Sequence, residues 1–206
     1  YHSLAFLYNL DEFIRQTRIH AERMEQLFGQ KPRIFRNTEL TYNNDVAKAV
    51  EDMGFDAILT EGADHILGYR SPNFIYNPQN CARLRLLMKN YRLSDDIAFR
   101  FGNRGWPEWP LTCDRFVQWV DQINGNGYVC NLFMDYETFG EHQWADTGIF
   151  GFLDALPGKV LASGKNEVVF RIADLTADVF RITEILNTTT FGVAEQGDKP
   201  VVLYFD

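Results

Sequence analysis

Apolar positions along this chain alternate between two spacings, and the alternation predicts the fold. After Asn9, the residues Phe13, Ile14, Thr17, Ala21, Met24, Leu27 and Phe28 recur at helical spacing and stop at Gly29. Asn9 followed by Glu12 is a capping-box-like start, with Asn in place of the usual Ser or Thr. Lys31 to Phe35 then reads as a strand. A short helix, Asp45 to Met53, follows behind a cap at Asn43 or Asn44 and closes at Gly54. Phe55 to Leu59 reads as the next strand. Strand, helix, strand in that order is the parallel crossover unit, so both strands present their C-terminal ends on one rim.

The pattern continues in the same manner. Tyr69 to Asn80 reads as a loop and Arg83 to Met88 as a strand. Ser94 is placed to cap a helix from Asp95 to Phe101. Thr112 caps an amphipathic helix with Phe116, Val117, Trp119, Val120 and Ile123 inward, and the apolar run Tyr128 to Met134 is a buried strand. Ile149 to Leu156 reads as a short helix stopped by Pro157. Beyond Leu161 the expectation is strands at Glu167 to Ile172 and Pro200 to Phe205, with a helix near Ala173 to Leu186. Residues 1–160 are read as the β/α portion of one domain, and 161–206 as an open continuation of it.

Polar residues concentrate where these strands end. Arg36 and Glu39 follow the first strand and Glu61 follows the second. Asp135, Glu137, Glu141 and His142 follow the Tyr128 to Met134 strand, with Tyr136, Phe139 and Trp144 among them. In α/β proteins this rim is where ligands bind. Carboxylates beside aromatic rings suit a carbohydrate, whose rings stack on aromatic faces and whose hydroxyls bond to carboxylates. The loop Asn103 to Pro110, with Trp106 and Trp109, reads equally as stacking surface or as a plug over one end of the sheet. Two carboxylates about 5–5.5 Å apart across a glycosidic bond support retention, and about 6.5–9.5 Å leaves room for the water of an inverting reaction.

Composition narrows the field. The formal net charge of −8 over 206 residues leaves no basic face to neutralise phosphates, so no nucleic-acid partner is expected. Three cysteines (Cys81, Cys113 and Cys130), without CxxC spacing, speak against a disulfide framework or a zinc site and for a reducing, cytoplasmic setting. No apolar run reaches the length of a membrane span, so no membrane partner is expected. Asn187-Thr188-Thr189 fits a glycosylation sequon, a triplet common by chance. Asp135, Glu137 and His142 can in principle coordinate a divalent ion, as in a metal-dependent deacetylase. There is no HExxH, so that reading ranks lower and no metal or other cofactor is expected. The sequence has neither GxSxG nor a phosphate-binding Gly-rich loop.

Met134-Asp135-Tyr136-Glu137-Thr138-Phe139-Gly140-Glu141-His142 resembles the acid/base segment of glycoside hydrolase family 57, a retaining family that includes α-amylases and 4-α-glucanotransferases. Phe35-Arg36-Asn37-Thr38-Glu39-Leu40-Thr41-Tyr42-Asn43-Asn44 is similar to the nucleophile segment of its α-amylase branch. Tyr1-His2-Ser3-Leu4, Leu59-Thr60-Glu61-Gly62 and Tyr91-Arg92-Leu93-Ser94-Asp95-Asp96 resemble that branch too, in the same order. The resemblance implies an α/β fold, an incomplete (β/α)7 barrel with catalytic residues at strand C-terminal ends. It implies Glu39 as nucleophile and Asp135 as general acid/base in double displacement on an α-1,4-glucan or maltooligosaccharide. His2, Arg36, Glu61, Asp96, Glu137 and His142 would then contact substrate or support the site, with Trp106 as a stacking ring. Glu61 also looks like a nucleophile position. Glu39 is preferred because Lys31 through Gly54 match the family's strand, nucleophile and following helix as a unit. The family's His-Gln-Pro strand and helical C-terminal region have no counterpart in the sequence, and nothing after about Leu161 resembles the family. A carbohydrate-binding remnant without turnover is therefore the alternative expectation.

Overall fold

The computed structural model describes residues 4–172 and 200–205. The chain divides into two compact units, one of Tyr1–Gly62 with Ile75–Met88, the other of Ala63–Phe74 with Lys89–Asp206.

The first unit begins with a 3-10 turn, Ala5–Leu7, and helix α1, Leu10–Phe28. Asn9 caps α1 as the sequence predicts, its side chain accepting from the Glu12 amide at 3.0 Å. The reciprocal half of a capping box is absent. The Glu12 carboxylate instead accepts from Arg15 and Gln16 further along the helix, which holds it well below the usual carboxylate range, at about 2. Gly29 ends α1 with φ of 68°, a left-handed conformation that glycine adopts at no steric cost.

Strands β1 (Ile34–Arg36), β2 (Ala57–Thr60) and β3 (Arg85–Met88) form a parallel sheet in that order, with Phe35 beside Ile58 and Ile58 beside Leu86. Helix α2, Asn44–Asp52, makes the crossover from β1 to β2, and its cap is Asn43. Val46, Ala47, Ala49 and Val50 of α2 pack with Phe13, Phe55, Ile58, Leu84 and Leu86 to form the core. Along it Phe6, Phe13, Phe35 and Phe55 meet edge to face, with centroids 5.6–6.0 Å apart, an arrangement that adds to their area burial. Glu51, buried on α2, accepts from the amides of Arg83 (2.6 Å) and Leu84 (3.0 Å) and so ties the crossover helix to the approach of β3. These amides draw its pKa from 4.5 down to about 2.

In the second unit β4 (Cys130–Met134), β5 (Glu167–Ile172) and β6 (Pro200–Phe205) are parallel, in the order β4-β6-β5. Both predicted late strands therefore exist, and the last of them lies in the middle of the sheet. The helix expected near Ala173 to Leu186 and the sequon at Asn187 lie outside the described residues. Before β4 come α3 (Asp64–Leu67), α4 (Tyr91–Ala98) and α5 (Cys113–Asp121), and after it α6 (Ile149–Ala162). Phe116, Val120, Leu132, Ile149, Leu156 and Val160 are among the residues of the core that these elements enclose.

Three local expectations are corrected. Ser94 does not cap α4; Asn90 does, its side chain accepting from the Leu93 amide at 3.1 Å, while Ser94 is wholly buried in the helix. Pro157 does not stop α6, which runs on to Ala162. Leu156 and Val160, on either side of the proline, are both buried in the core, and that burial offsets the one backbone bond a proline removes. The strand at Tyr128 begins only at Cys130, because the amides of Tyr128 and Val129 both donate to the Asn73 carbonyl.

Candidate active site

Arg36, Glu39 and Glu61 belong to the first unit; Asp96, Trp106, Asp135, Glu137 and His142 belong to the second. His2 lies outside the described residues.

At the C-terminal end of β1 the backbone turns sharply. Glu39 adopts φ 52°, ψ 28°, and Leu40 follows with φ 53°, two left-handed residues in succession and neither a glycine. Such geometry costs on the order of 1–2 kcal/mol per residue and persists only where the surroundings enforce it. Here they do. Buried Asn37 donates through Nδ2 to the Thr41 carbonyl (3.2 Å) and to Thr41 Oγ1 (3.0 Å). Thr41 Oγ1 donates in turn to the Thr38 carbonyl at 2.7 Å. From the end of β2, buried Thr60 donates to the Leu40 carbonyl at 3.0 Å, and the Leu40 side chain is sunk into the interior. The outcome is a clamped turn with the Glu39 side chain exposed. Glu61, half-buried, follows Thr60 directly, so both carboxylates stand at the same end of the parallel sheet. Sequence reasoning named Arg36, Glu39 and Glu61 as candidates but missed Asn37, Thr41 and Thr60, which hold the turn. Their signal was present: small polar residues at the end of otherwise apolar strands.

In the second unit every residue of β4 is buried and the next residue, Asp135, is exposed. From Asp135 to Gln143 the chain folds back on itself. The Thr138 amide donates to the Asp135 carbonyl, those of Glu141 and His142 to Glu137, that of Gln143 to Thr138, and that of Gly140 to Gln143. Thr138 and Gln143 are buried and Phe139 packs on the core, while Asp135, Glu137, Glu141 and His142 face outward beside exposed Tyr136 and Trp144. Three carboxylates and an imidazole thus share one tightly bonded loop at a strand end.

Asp96 and Trp106 have different settings. Asp96 is buried on α4 and accepts from Arg100 Nε at 2.5 Å; burial raises its pKa and the guanidinium works against that rise. Arg100 also lies over the Trp106 ring, 5.9 Å from its centroid, and Trp106 meets Trp119 edge to face at 6.2 Å. Of the two weighed readings for the Asn103 to Pro110 loop, Trp106 is half-buried against the core, and the exposed ring is that of Trp109, with Arg104 over it. Among the described residues no group of three or more His, Cys, Asp or Glu is arranged to hold a metal ion. No helix among them is long and apolar enough to cross a membrane.

Both units are parallel α/β structures with carboxylates beyond their strand ends, the rim on which ligands bind in such folds. Residues 1–174 match the family model described as "Glycosyl hydrolase family 57", and the chain belongs to that family. The match runs past Leu161, further than the motifs alone reach. A protein of Methanocaldococcus jannaschii named "Putative alpha-amylase" is 49% identical over 170 residues, which is 82% of this chain and 36% of that protein. The chain thus spans about a third of the length of this curated relative. No solved structure matches it.

Proposed function

We propose that the protein is a retaining glycoside hydrolase acting on α-1,4-glucans, with Glu39 as nucleophile and Asp135 as general acid/base. The observation that carries this reading is the family match together with the presence of both carboxylates, each exposed beyond the C-terminal end of a parallel strand, Asp135 directly and Glu39 three residues on. In the proposed cycle the Glu39 carboxylate attacks the anomeric carbon as the glycosidic bond breaks, and the Asp135 carboxyl gives its proton to the leaving oxygen. Asp135 then takes a proton from water, which displaces Glu39 and releases a sugar of retained configuration. A second sugar hydroxyl in place of that water makes the same enzyme a 4-α-glucanotransferase. The (β/α)7 barrel of the family is the scaffold this reading assumes. Arg36, Glu61, Glu137 and His142, with His2, Asp96 and Trp106, are proposed to contact substrate or support the site. The clamped turn under Glu39 supports a role in which one carboxylate is held in a fixed direction.

The test is turnover of maltooligosaccharides by the full-length protein, with NMR of the first-formed anomer. Asp135→Asn is expected to lower kcat by about 10²–10⁴-fold, and Glu39→Gln at least as much. Products of α configuration support retention. Oligosaccharide binding without turnover in the wild type would replace the enzyme by a carbohydrate-binding protein.

A further inference from the structure

Helix α4 holds the chain on both sides of Asp135. Ser94 and Ala98 are one turn apart and so lie on the same face of the helix. Ser94 Oγ, wholly buried, accepts from the amide of Phe133, two residues before Asp135, at 3.1 Å. Ala98, at the last turn, offers a carbonyl that has no partner further along the helix. Gln143 supplies one: its Nε2 donates to the Ala98 carbonyl at 2.8 Å, with the side chain only 6% exposed. From Gln143 the path returns through its own amide to the Thr138 carbonyl (2.9 Å) and through the Thr138 amide to the Asp135 carbonyl (3.0 Å). Gly102, just past α4, completes the seat. A Cβ there would come within 2.7 Å of Gln143 Oε1 and 3.2 Å of Thr147 Cγ2, so the amide occupies space that a side chain would need.

We infer that Gln143 is a positioning residue, fixing the Asp135 loop to the end of α4 so that the Asp135 carboxyl is held where the leaving oxygen will stand. This rests on the reading of Asp135 as general acid/base. The bond is buried, neutral and directional, and the loop's charged side chains, Asp135, Glu137, Glu141 and His142, are exposed. Its effect is thus on where the loop sits and not on the charge of the site. Displacement of a reacting group by about 1 Å costs on the order of 100-fold in rate, so the expected defect is in kcat, with KM little changed.

The experiment compares the full-length wild type with Gln143→Met, which keeps length and volume but cannot donate, and with Gly102→Ala, which evicts the amide from the opposite side. Steady-state kinetics on maltooligosaccharides are read well below the melting temperature, with circular dichroism on the same samples. Both variants are expected to be folded and to lose about 10- to 100-fold in kcat, with KM within roughly twofold of wild type. Gln143→Glu adds a readout that a purely structural role would not produce. Its carboxylate cannot donate when ionised and can when protonated, so its kcat relative to wild type should recover as the pH falls from about 7 to about 5. Unchanged kcat in folded Gln143→Met and Gly102→Ala, or loss only in proportion to the unfolded fraction, overturns the inference and leaves the glycosidase reading standing. A wild type without turnover overturns both.

Discussion

Glu39 shows how a single residue is placed under tension by its surroundings. Its left-handed backbone is imposed by Asn37, Thr41 and Thr60 and by the buried Leu40 side chain, none of which needs the carboxylate. Replacing Glu39 by glycine removes the clash of Cβ with its own backbone while leaving the clamp in place. Glu39→Gly is therefore expected to be more stable than wild type by about 1 kcal/mol and to have no turnover, read from denaturant midpoints and kinetics in parallel. A variant less stable than wild type would mean that the side chain itself helps hold the turn. At this scale the sequence named candidates and was silent about geometry. Glu39, Glu61 and Asp135 were legible as candidates because each carboxylate follows an apolar strand. The positive φ was not, because no glycine or asparagine marks it, and tertiary hydrogen bonds impose what local preference opposes.

At the scale of elements, helix α2 and the approach to β3 are joined through Glu51, whose pKa lies at about 2 in the folded protein, against an ordinary 4.5. A folded-state value below the unfolded one means the stabilisation is complete above pH 4.5 and is lost as pH falls towards 2. Glu51→Gln keeps an acceptor oxygen but not the charge. It should melt at lower temperature than wild type at pH 7, with the difference shrinking below pH 4.5 and nearly gone by about pH 2, by calorimetry across that range. A constant difference across it would count against the linkage. Elements themselves were mostly readable: helical spacing located α1, α2, α5 and the start of α6, and their polar caps at Asn9, Asn43 and Thr112 are those observed. The errors came where tertiary contacts outweighed a local signal. Ser94 looks like a cap and is a buried acceptor for Phe133; Pro157 looks like a stop and lies between two core residues. The short helix α3 and the 3-10 turns carry too few residues to show a period.

For the molecule as a whole, Cys130 is a reporter of global opening. It is buried at the start of β4, and burial pushes its thiol up to about 12, so it is neither exposed nor ionised at neutral pH. Under native conditions its labelling by a thiol reagent should follow unfolding of the second unit, slower than Cys81 and Cys113, which are partly exposed. Mass spectrometry of labelled peptides over time checks this, and equal rates for all three would show that β4 opens locally. Parallel α/β character was legible from the order of spacings, but the division into two units was not, because no change in composition accompanies it. The first unit takes its sheet from both sides of Ala63–Phe74, a stretch that belongs to the second. A gene crossover at any single point before Met88 would therefore cut through the first unit or strip the second of Asn73, which anchors the start of β4. The two units have to be inherited as one, and shuffling them as separate modules would break both.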